Sequence, residues 1–330
     1  MQDINNSPKV IFMFVTTECN LKCIQCDYHK PSLTNKKRLT PKQKIDIINQ
    51  VKEWDTSIRF SFTGGEPFVR KETVYALLYE CSQNGIQSTL TTNGTLVTDD
   101  DIEKILKTGL NSMVISLDSH DPEIHNKIRG TEEAFNKTVD FAKKLISRKK
   151  TVTSNLLVYV STILGNHNLE NIQETIEFFE ELGFDGIVFE AIQPNYSINT
   201  TEYKIDWSEG NELYPKEHQY INGINKLVEL KHLGKKILQT EEQLNDIIHY
   251  FKNPNFIADK KCQAMNTTII IDDFGEVSFC FGMERLGYKS LGNVKKQKLR
   301  DIWKESFPIR LSAQHCNFGC GIKNSHYKQD

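Results

Sequence analysis

The residues best suited to chemistry stand near the start of the chain, where Cys19, Cys23 and Cys26 follow the spacing C-x3-C-x2-C. A loop curling through this stretch can turn three thiolates onto one metal centre. Thiolates are soft ligands that favour iron–sulfur clusters, zinc or cuprous copper. Three of them leave a tetrahedral ion or a four-iron cube one ligand short, whereas structural zinc is normally closed by four protein ligands. His29 is near enough in sequence to be a fourth, so on these residues alone zinc and a cluster both stand open. A second set, Cys262, Cys280, Cys316 and Cys320, lies towards the other end and has enough thiolates to close a site. Cys81 stands apart, on a helical face with Val74, Leu77 and Leu78, where a free cysteine packs as a small hydrophobe.

The elements that must position the first set can be read around it. The apolar run at 10–15 reads as a buried strand that delivers the chain into the cysteine loop. Thr40-Pro41 then supplies an N-cap and a first-turn proline, with Ile45, Ile48 and Val51 at helical spacing. The pattern repeats, with strands expected at 58–63, 87–92, 112–117, 155–163 and 186–192. The intervening helices include one starting near Thr131 and one capped by Asn168. Six such alternations predict a parallel sheet with right-handed crossovers, either a barrel or an open doubly wound layer. In both, ligands gather at the C-terminal ends of the strands. Gly64-Gly65-Glu66, Asn93-Gly94, Asp118 and Asn166-His167 fall at those ends with the cysteine loop, so one rim should collect them.

Further along, residues 193–214 form a polar connection with Tyr196, Tyr203 and Trp207, read either as cover for a substrate or as an ordinary crossing. Two amphipathic helices follow, the second capped by Thr240 with Gln243 as its capping-box partner. Runs at 267–271 and 276–280, joined by Asp272-Asp273-Phe274-Gly275, predict a hairpin beyond a domain boundary near residue 255.

Composition excludes several classes. With 41 basic and 43 acidic side chains the formal charge is -2, which argues against a general nucleic-acid or membrane-surface binder. The N-terminus MQDINNSPKV lacks a signal-peptide pattern, and no apolar run is long enough to span a bilayer. A cytoplasmic location is expected, and in a reducing compartment clustered cysteines point to metal rather than disulfides.

Taken together, the chain resembles the radical S-adenosylmethionine (radical SAM) enzymes over about residues 8–195. Cys19, Cys23 and Cys26 match the CxxxCxxC signature, and Gly64-Gly65-Glu66, preceded by Thr63, matches the GGE motif. Asn93-Gly94 and Ser116-Leu117-Asp118 fall where that family has cofactor contacts. Gln25 departs from the aromatic or large apolar residue usual before the last cysteine, which leaves Tyr28 as the candidate for adenine packing. The C-terminal cysteines, with Leu291-Gly292-Asn293-Val294 and Leu299-Arg300-Asp301-Ile302-Trp303 between them, resemble the shortened SPASM, or twitch, domain that carries one auxiliary cluster. The final pair is spaced CxxxC where a shorter spacing is common, and His315 is read as a bystander.

The resemblance implies an α/β fold: a partial (β/α)6 TIM-like barrel over residues 1–215, linking helices over 216–254, and a small cysteine-rich hairpin/helix domain over 255–330. It implies an enzyme with three cofactors. These are a [4Fe-4S] cluster held by Cys19, Cys23, Cys26 and S-adenosylmethionine, S-adenosylmethionine itself, and one auxiliary [4Fe-4S] cluster on Cys262, Cys280, Cys316 and Cys320. S-adenosylmethionine chelates the open iron, and one electron cleaves it to a 5'-deoxyadenosyl radical that abstracts a substrate hydrogen. Gly64 and Gly65 are expected to let backbone approach the methionine moiety, and Glu66 to accept from its ammonium. Asn93, Ser116 and Asp118 are expected to bond the ribose or methionine end, and Arg129 the carboxylate. The implied reaction is oxidation or rearrangement of a small molecule. A maturase of ribosomal peptides or proteins is the alternative, and a non-catalytic iron–sulfur electron carrier or binding protein the alternative of a different class. The implied partners are a small-molecule or peptide substrate and a reductant such as flavodoxin or ferredoxin, with no nucleic acid and no membrane. The cysteine loop begins 18 residues from the start, which leaves no room for a leader-binding or cobalamin domain and tilts the expectation towards a small molecule.

Overall fold

The computed structural model describes residues 7–30, 35–193, 207–254, 263–283 and 290–312. Tyr196, Tyr203, Cys262, His315, Cys316 and Cys320, singled out above, lie outside the described residues. Six strands, β1 (Val10–Thr16), β2 (Arg59–Gly64), β3 (Ser88–Thr92), β4 (Ser112–Ser116), β5 (Leu157–Leu164) and β6 (Gly186–Ala191), pair in sequence order, all parallel. The helices between them are α1 (Pro41–Trp54), α2 (Lys71–Gln83), α3 (Asp99–Lys107), α4 (Pro122–Arg129), α5 (Ala134–Thr151) and α6 (Ile172–Leu182). A doubly wound layer needs a point where strand order reverses. Here every right-handed crossover steps the same way, so the helices share one face and the sheet is of the barrel kind.

Side chains alternate across each strand, and the two faces differ sharply. The helix-facing set, with Ile11, Met13, Phe60, Leu90, Met113, Val158 and Val160, is wholly buried against Ile48, Val51, Leu77 and Leu145. The inner set is richer in hydroxyls: Ser61 pairs with Thr89, Thr89 with Ser112, and Ser116 with Ser161. The strands are therefore not apolar on both faces. Cys81 packs in the core as the sequence implies.

Two local readings are corrected. The helix expected from Thr131 starts at Ala134, and α4 precedes it. Asp121-Pro122 is its start signal: the Asp121 carboxylate accepts from the Glu123 N–H at 2.8 Å, and proline occupies a first-turn position. Asn168 does not cap α6, which starts at Ile172. Its amide donates to the Asp118 and Ile163 carbonyls, each at 2.9 Å. Of the two readings left open for the aromatics of 193–214, Trp207 favours the ordinary crossing: it stacks edge-on against Tyr214, whose hydroxyl donates to the Phe251 carbonyl at 2.8 Å. That packing joins α7 (Glu217–His232) and α8 (Glu241–Lys252).

The predicted hairpin exists but extends the barrel sheet. After α9 (Ala264–Thr267), β7 (Thr268–Ile271) pairs parallel with β1, β8 (Glu276–Ser278) pairs antiparallel with β7, and β9 (Gly292–Asn293) closes the edge of a nine-stranded sheet. At the hairpin turn, the buried Asp273 carboxylate accepts from Lys44 Nζ at 2.8 Å and from the Thr17 N–H at 3.1 Å, which ties the turn to the exit of β1. The last described helices, α10 (Leu299–Glu305) and α11 (Phe307–Ser312), are joined by the buried Arg310, which donates to the Met265 and Trp303 carbonyls and lies over the Trp303 ring. Among the described residues no helix is long and apolar enough to cross a membrane.

Candidate active site

The cysteine loop leaves β1 and is gripped from three sides. On the first, the tip of β2 presses against it: Gly65 N–H donates to the Thr16 carbonyl and Glu66 N–H to the Glu18 carbonyl, each at 2.8 Å. A Cβ on Gly64 would fall 2.2 Å from the Thr16 oxygen and one on Gly65 2.2 Å from the Glu18 oxygen, and Gly64 has φ +131. The approach these glycines demonstrably permit is thus that of the chain to itself. On the second side, Ile24 N–H donates to the Ile128 carbonyl at 3.0 Å. Gly130, left-handed at the end of α4, lies so near Lys22 that a Cβ would sit 2.4 Å from its carbonyl oxygen. On the third, Asn93 Nδ2 donates to Asn20 Oδ1 at 3.1 Å, and Asn20 Nδ2 to Thr95 Oγ1 at 2.8 Å.

All three cysteines line one cavity of about 260 Å³ with Gly64, Gly65, Glu66, Asn93, Ser116 and Arg129. Six of the seven expected cofactor contacts therefore share a rim with the thiols, and the seventh, Asp118, stands behind it. Among the described residues no three cysteine, histidine or carboxylate side chains converge tightly enough for a single metal ion. Three thiols around a common cavity are the donor set that an iron–sulfur cluster with one open iron requires. Burial pushes the Cys19 thiol up to about 12 and raises Cys26 as well. Ionised sulfur here calls for a positive centre, which a cluster supplies.

Several side chains have settled roles. Glu66 is buried, and its carboxylate already accepts from Phe68 N–H (3.0 Å), Thr92 Oγ1 (2.8 Å) and Asn93 N–H (2.7 Å). Burial nevertheless raises its pKa. It braces the β2 tip against the end of β3, so the bond to an ammonium expected of it would fall on a carboxylate that already accepts from three protein donors. The Asn93 side chain is likewise engaged, with Oδ1 accepting from Thr95 N–H at 2.9 Å. Ser116 makes no hydrogen bond through its hydroxyl to any described residue and opens on the cavity.

Asp118 is fully buried and touches protein only. Its Oδ2 lies 2.8 Å from Arg129 Nε and 3.8 Å from His125 Nδ1, and its Oδ1 accepts from Ile163 N–H at 3.4 Å. Burial, the largest effect, works against the carboxylate, but the Arg129 charge together with His125, His167 and the Ile163 N–H outweighs it and holds Asp118 below the usual range. Asp118 therefore supports Arg129 from behind the rim that the other expected contacts share. Gln25 lines the cavity with both amide atoms buried and unpartnered among the described residues, and Tyr28, also lining it, stacks edge-on with Phe14 at 5.7 Å.

Of the second cysteine set, Cys280 is described. Its sulfur accepts from Gly282 N–H at 3.2 Å, and the neighbouring Phe281 ring packs on Phe12 and Phe14 of the inner face of β1. The sequence reading passed over Thr92, Asn20, His125, Phe281 and Glu190. Asn20 and Thr92 sit beside recognised motif residues, and His125 lies one helical turn before Arg129. Phe281 likewise adjoins Cys280, whereas no comparable signal marks Glu190.

The model of the Radical SAM superfamily matches residues 13–179, and the model of an iron-sulfur cluster-binding domain, SPASM, matches residues 262–321. The AdoMet-dependent heme synthase of Methanosarcina barkeri is 25% identical, covering 97% of this chain and 89% of its own. Two solved structures share the fold. That of anSMEcpe with bound AdoMet has TM-score 0.68 and 19% identity, covering 95% of this chain and 89% of its own. That of SuiB from Streptococcus suis, bound to S-adenosylmethionine, has TM-score 0.67 and 18% identity, covering 93% and 68%.

Proposed function

This chain belongs to the Radical SAM superfamily, and we propose that its barrel cavity holds an organic small molecule that is oxidised or rearranged after loss of one hydrogen atom. The chain is an enzyme with a [4Fe-4S] cluster and S-adenosylmethionine as cofactors, and its SPASM segment is of the kind that holds auxiliary iron–sulfur clusters. When bound, these groups supply one-electron cleavage of a carbon–sulfur bond and a 5'-deoxyadenosyl radical able to take hydrogen from carbon.

One observation carries the reading: Cys19, Cys23 and Cys26 line a single cavity with the β2 tip and with an Arg129 already fixed by Asp118. On our reading the cysteines hold the cluster. Arg129 receives the methionine carboxylate, and Ser116, with its free hydroxyl, meets the ribose or methionine end. The glycine pair and the Asn20–Asn93 bridge hold the cysteine loop in register. Cys262, Cys280, Cys316 and Cys320 are proposed to hold the auxiliary cluster. The contact of Phe281 with Phe12 and Phe14 sets Cys280 next to the inner face of the barrel. That placement suits acceptance of the second electron of a substrate oxidation, the first leaving with the abstracted hydrogen atom, and a flavodoxin- or ferredoxin-type reductant is proposed to supply the separate electron that cleaves S-adenosylmethionine.

The near end-to-end match to a heme synthase supports a small organic substrate. A second reading, peptide modification, is favoured by fold likeness to SuiB, of which a structure exists with its precursor peptide SuiA. The chemical premise is tested by iron content and electron paramagnetic resonance of anaerobically reconstituted protein. About eight irons per chain, with a reduced-cluster signal that changes on adding S-adenosylmethionine, supports it. A spectrum indifferent to S-adenosylmethionine, or about four irons with one zinc, would count against it.

A further inference from the structure

The inner wall of the barrel carries hydroxyls, apolar groups and, among the described strand residues lining the cavity, one charge. Thr63, Thr91, Ser116, Ile163 and Glu190 are the inward positions of β2 to β6 that reach it, and Ile163 and Glu190 are register partners. Glu190 is exposed although protein is dense around it, and it lines the cavity from the end of β6. It makes no hydrogen bond or ion pair with any described residue. Arg129, the one cation among the described residues lining the same cavity, is held on Asp118. Among the described residues no neighbouring charge offsets the burial that raises the Glu190 carboxyl.

A carboxylate kept without a partner in a partly dehydrated space is costly unless what fills the space pairs with it. Hydroxyls would suffice to line a cavity for a neutral or anionic molecule, and an anion would be repelled by Glu190. A strand, unlike a loop, also fixes the direction of the carboxylate in advance. We propose that Glu190 positions the substrate, and that the substrate presents a protonated nitrogen (an ammonium, amidinium or guanidinium group) close to the hydrogen that is removed. This names the substrate class of the site assigned above and rests on that assignment.

The test is calorimetric binding of four probes, n-butylammonium, agmatine, n-butanol and butyrate, to reconstituted holoenzyme carrying S-adenosylmethionine. Wild type is compared with Glu190→Gln and Glu190→Asp. The two cations should bind wild type at least about tenfold more tightly than the alcohol or the anion. Glu190→Gln should lose that preference, Glu190→Asp should keep it, and S-adenosylmethionine affinity should stay within about twofold in both variants. Equal or undetectable binding of all four probes to wild type, or a preference that survives in Glu190→Gln, would overturn the proposal. Weaker S-adenosylmethionine binding in Glu190→Gln would overturn it too, by assigning the residue to the cofactor. A protein that binds the cations as expected but never yields 5'-deoxyadenosine would refute the radical reading instead, so the two failures are distinguishable.

Discussion

Arg129 Nε lies 2.8 Å from Asp118 Oδ2, while Nη1 of the same guanidinium comes to 4.0 Å from Cys23 Sγ. One buried cation therefore links a carboxylate beneath the cavity to a thiol of the cysteine loop. Asp118→Asn leaves that cation with less than it needs, and breaking a buried pair costs about 3–5 kcal/mol. The expected outcome is a lower thermal midpoint and S-adenosylmethionine affinity weakened about tenfold or more, read by scanning calorimetry and titration. Asp118→Asn combined with Arg129→Met should recover part of the stability and none of the affinity.

The same cluster predicts a pH response. His125 is buried, accepts from the Asp118 N–H at 3.2 Å, and is pushed down to about 3, first by burial and then by the Arg129 charge, with His167 adding to it and Asp118 opposing. Folding thus holds the neutral ring. The stability tied to it is complete above the unfolded value of about 6.5 and is lost as pH falls from there towards the folded value. Asp118, itself depressed, keeps its stabilisation in full above about 3.9 and loses it only below that, so it does not confuse this window. Urea unfolding should lose up to about 1.4 kcal/mol per pH unit between pH 6 and 4, and the slope should flatten in His125→Gln.

Glu66→Gln tests the brace between β2 and β3. Three donors converge on the carboxylate, and an amide would turn an NH2 group towards one of them. The expected loss is about 1–3 kcal/mol by urea midpoint. Iron loading on the first cysteine set should fall as well, because Asn93 would no longer be held for Asn20.

How much of this was legible in the sequence depends on what kind of signal each part leaves. The barrel was readable because strand and helix periodicities alternate without interruption, and the cysteine and glycine motifs because their spacing is local. Partners formed across the fold were not. Nothing near Glu66 says that Thr92 and Asn93 will consume its oxygens, and nothing near Asp118 says that Arg129 will lie 2.8 Å away. The α4 helix is only eight residues long and lacks the extended apolar period that marks α5, so Asp121-Pro122 is its one clear signal and the expected helix began only near Thr131. The parallel pairing of β7 with β1 joins residues some 258 positions apart, Val10 with Thr268, which no local pattern can indicate.

That long-range joint has its own prediction. Lys44 is buried and donates to both Asp273 and the Val15 carbonyl, and burial lowers its pKa despite Asp273. Asp273→Ala would leave an unpaired ammonium in the core and should cost about 3–5 kcal/mol. Replacing both partners, with Lys44→Met and Asp273→Leu, should recover most of the loss in thermal denaturation.

The central claim is that the three-cysteine loop binds a cluster at which S-adenosylmethionine is cleaved. Its most direct measurement is chromatographic quantification of 5'-deoxyadenosine after anaerobic reconstitution and reduction with S-adenosylmethionine, in wild type and in the triple variant Cys19→Ala, Cys23→Ala, Cys26→Ala. The account predicts 5'-deoxyadenosine from wild type and none from the triple variant, which should still retain the auxiliary iron. Wild type with its clusters intact and no 5'-deoxyadenosine formed, or the same amount from the triple variant, would contradict it.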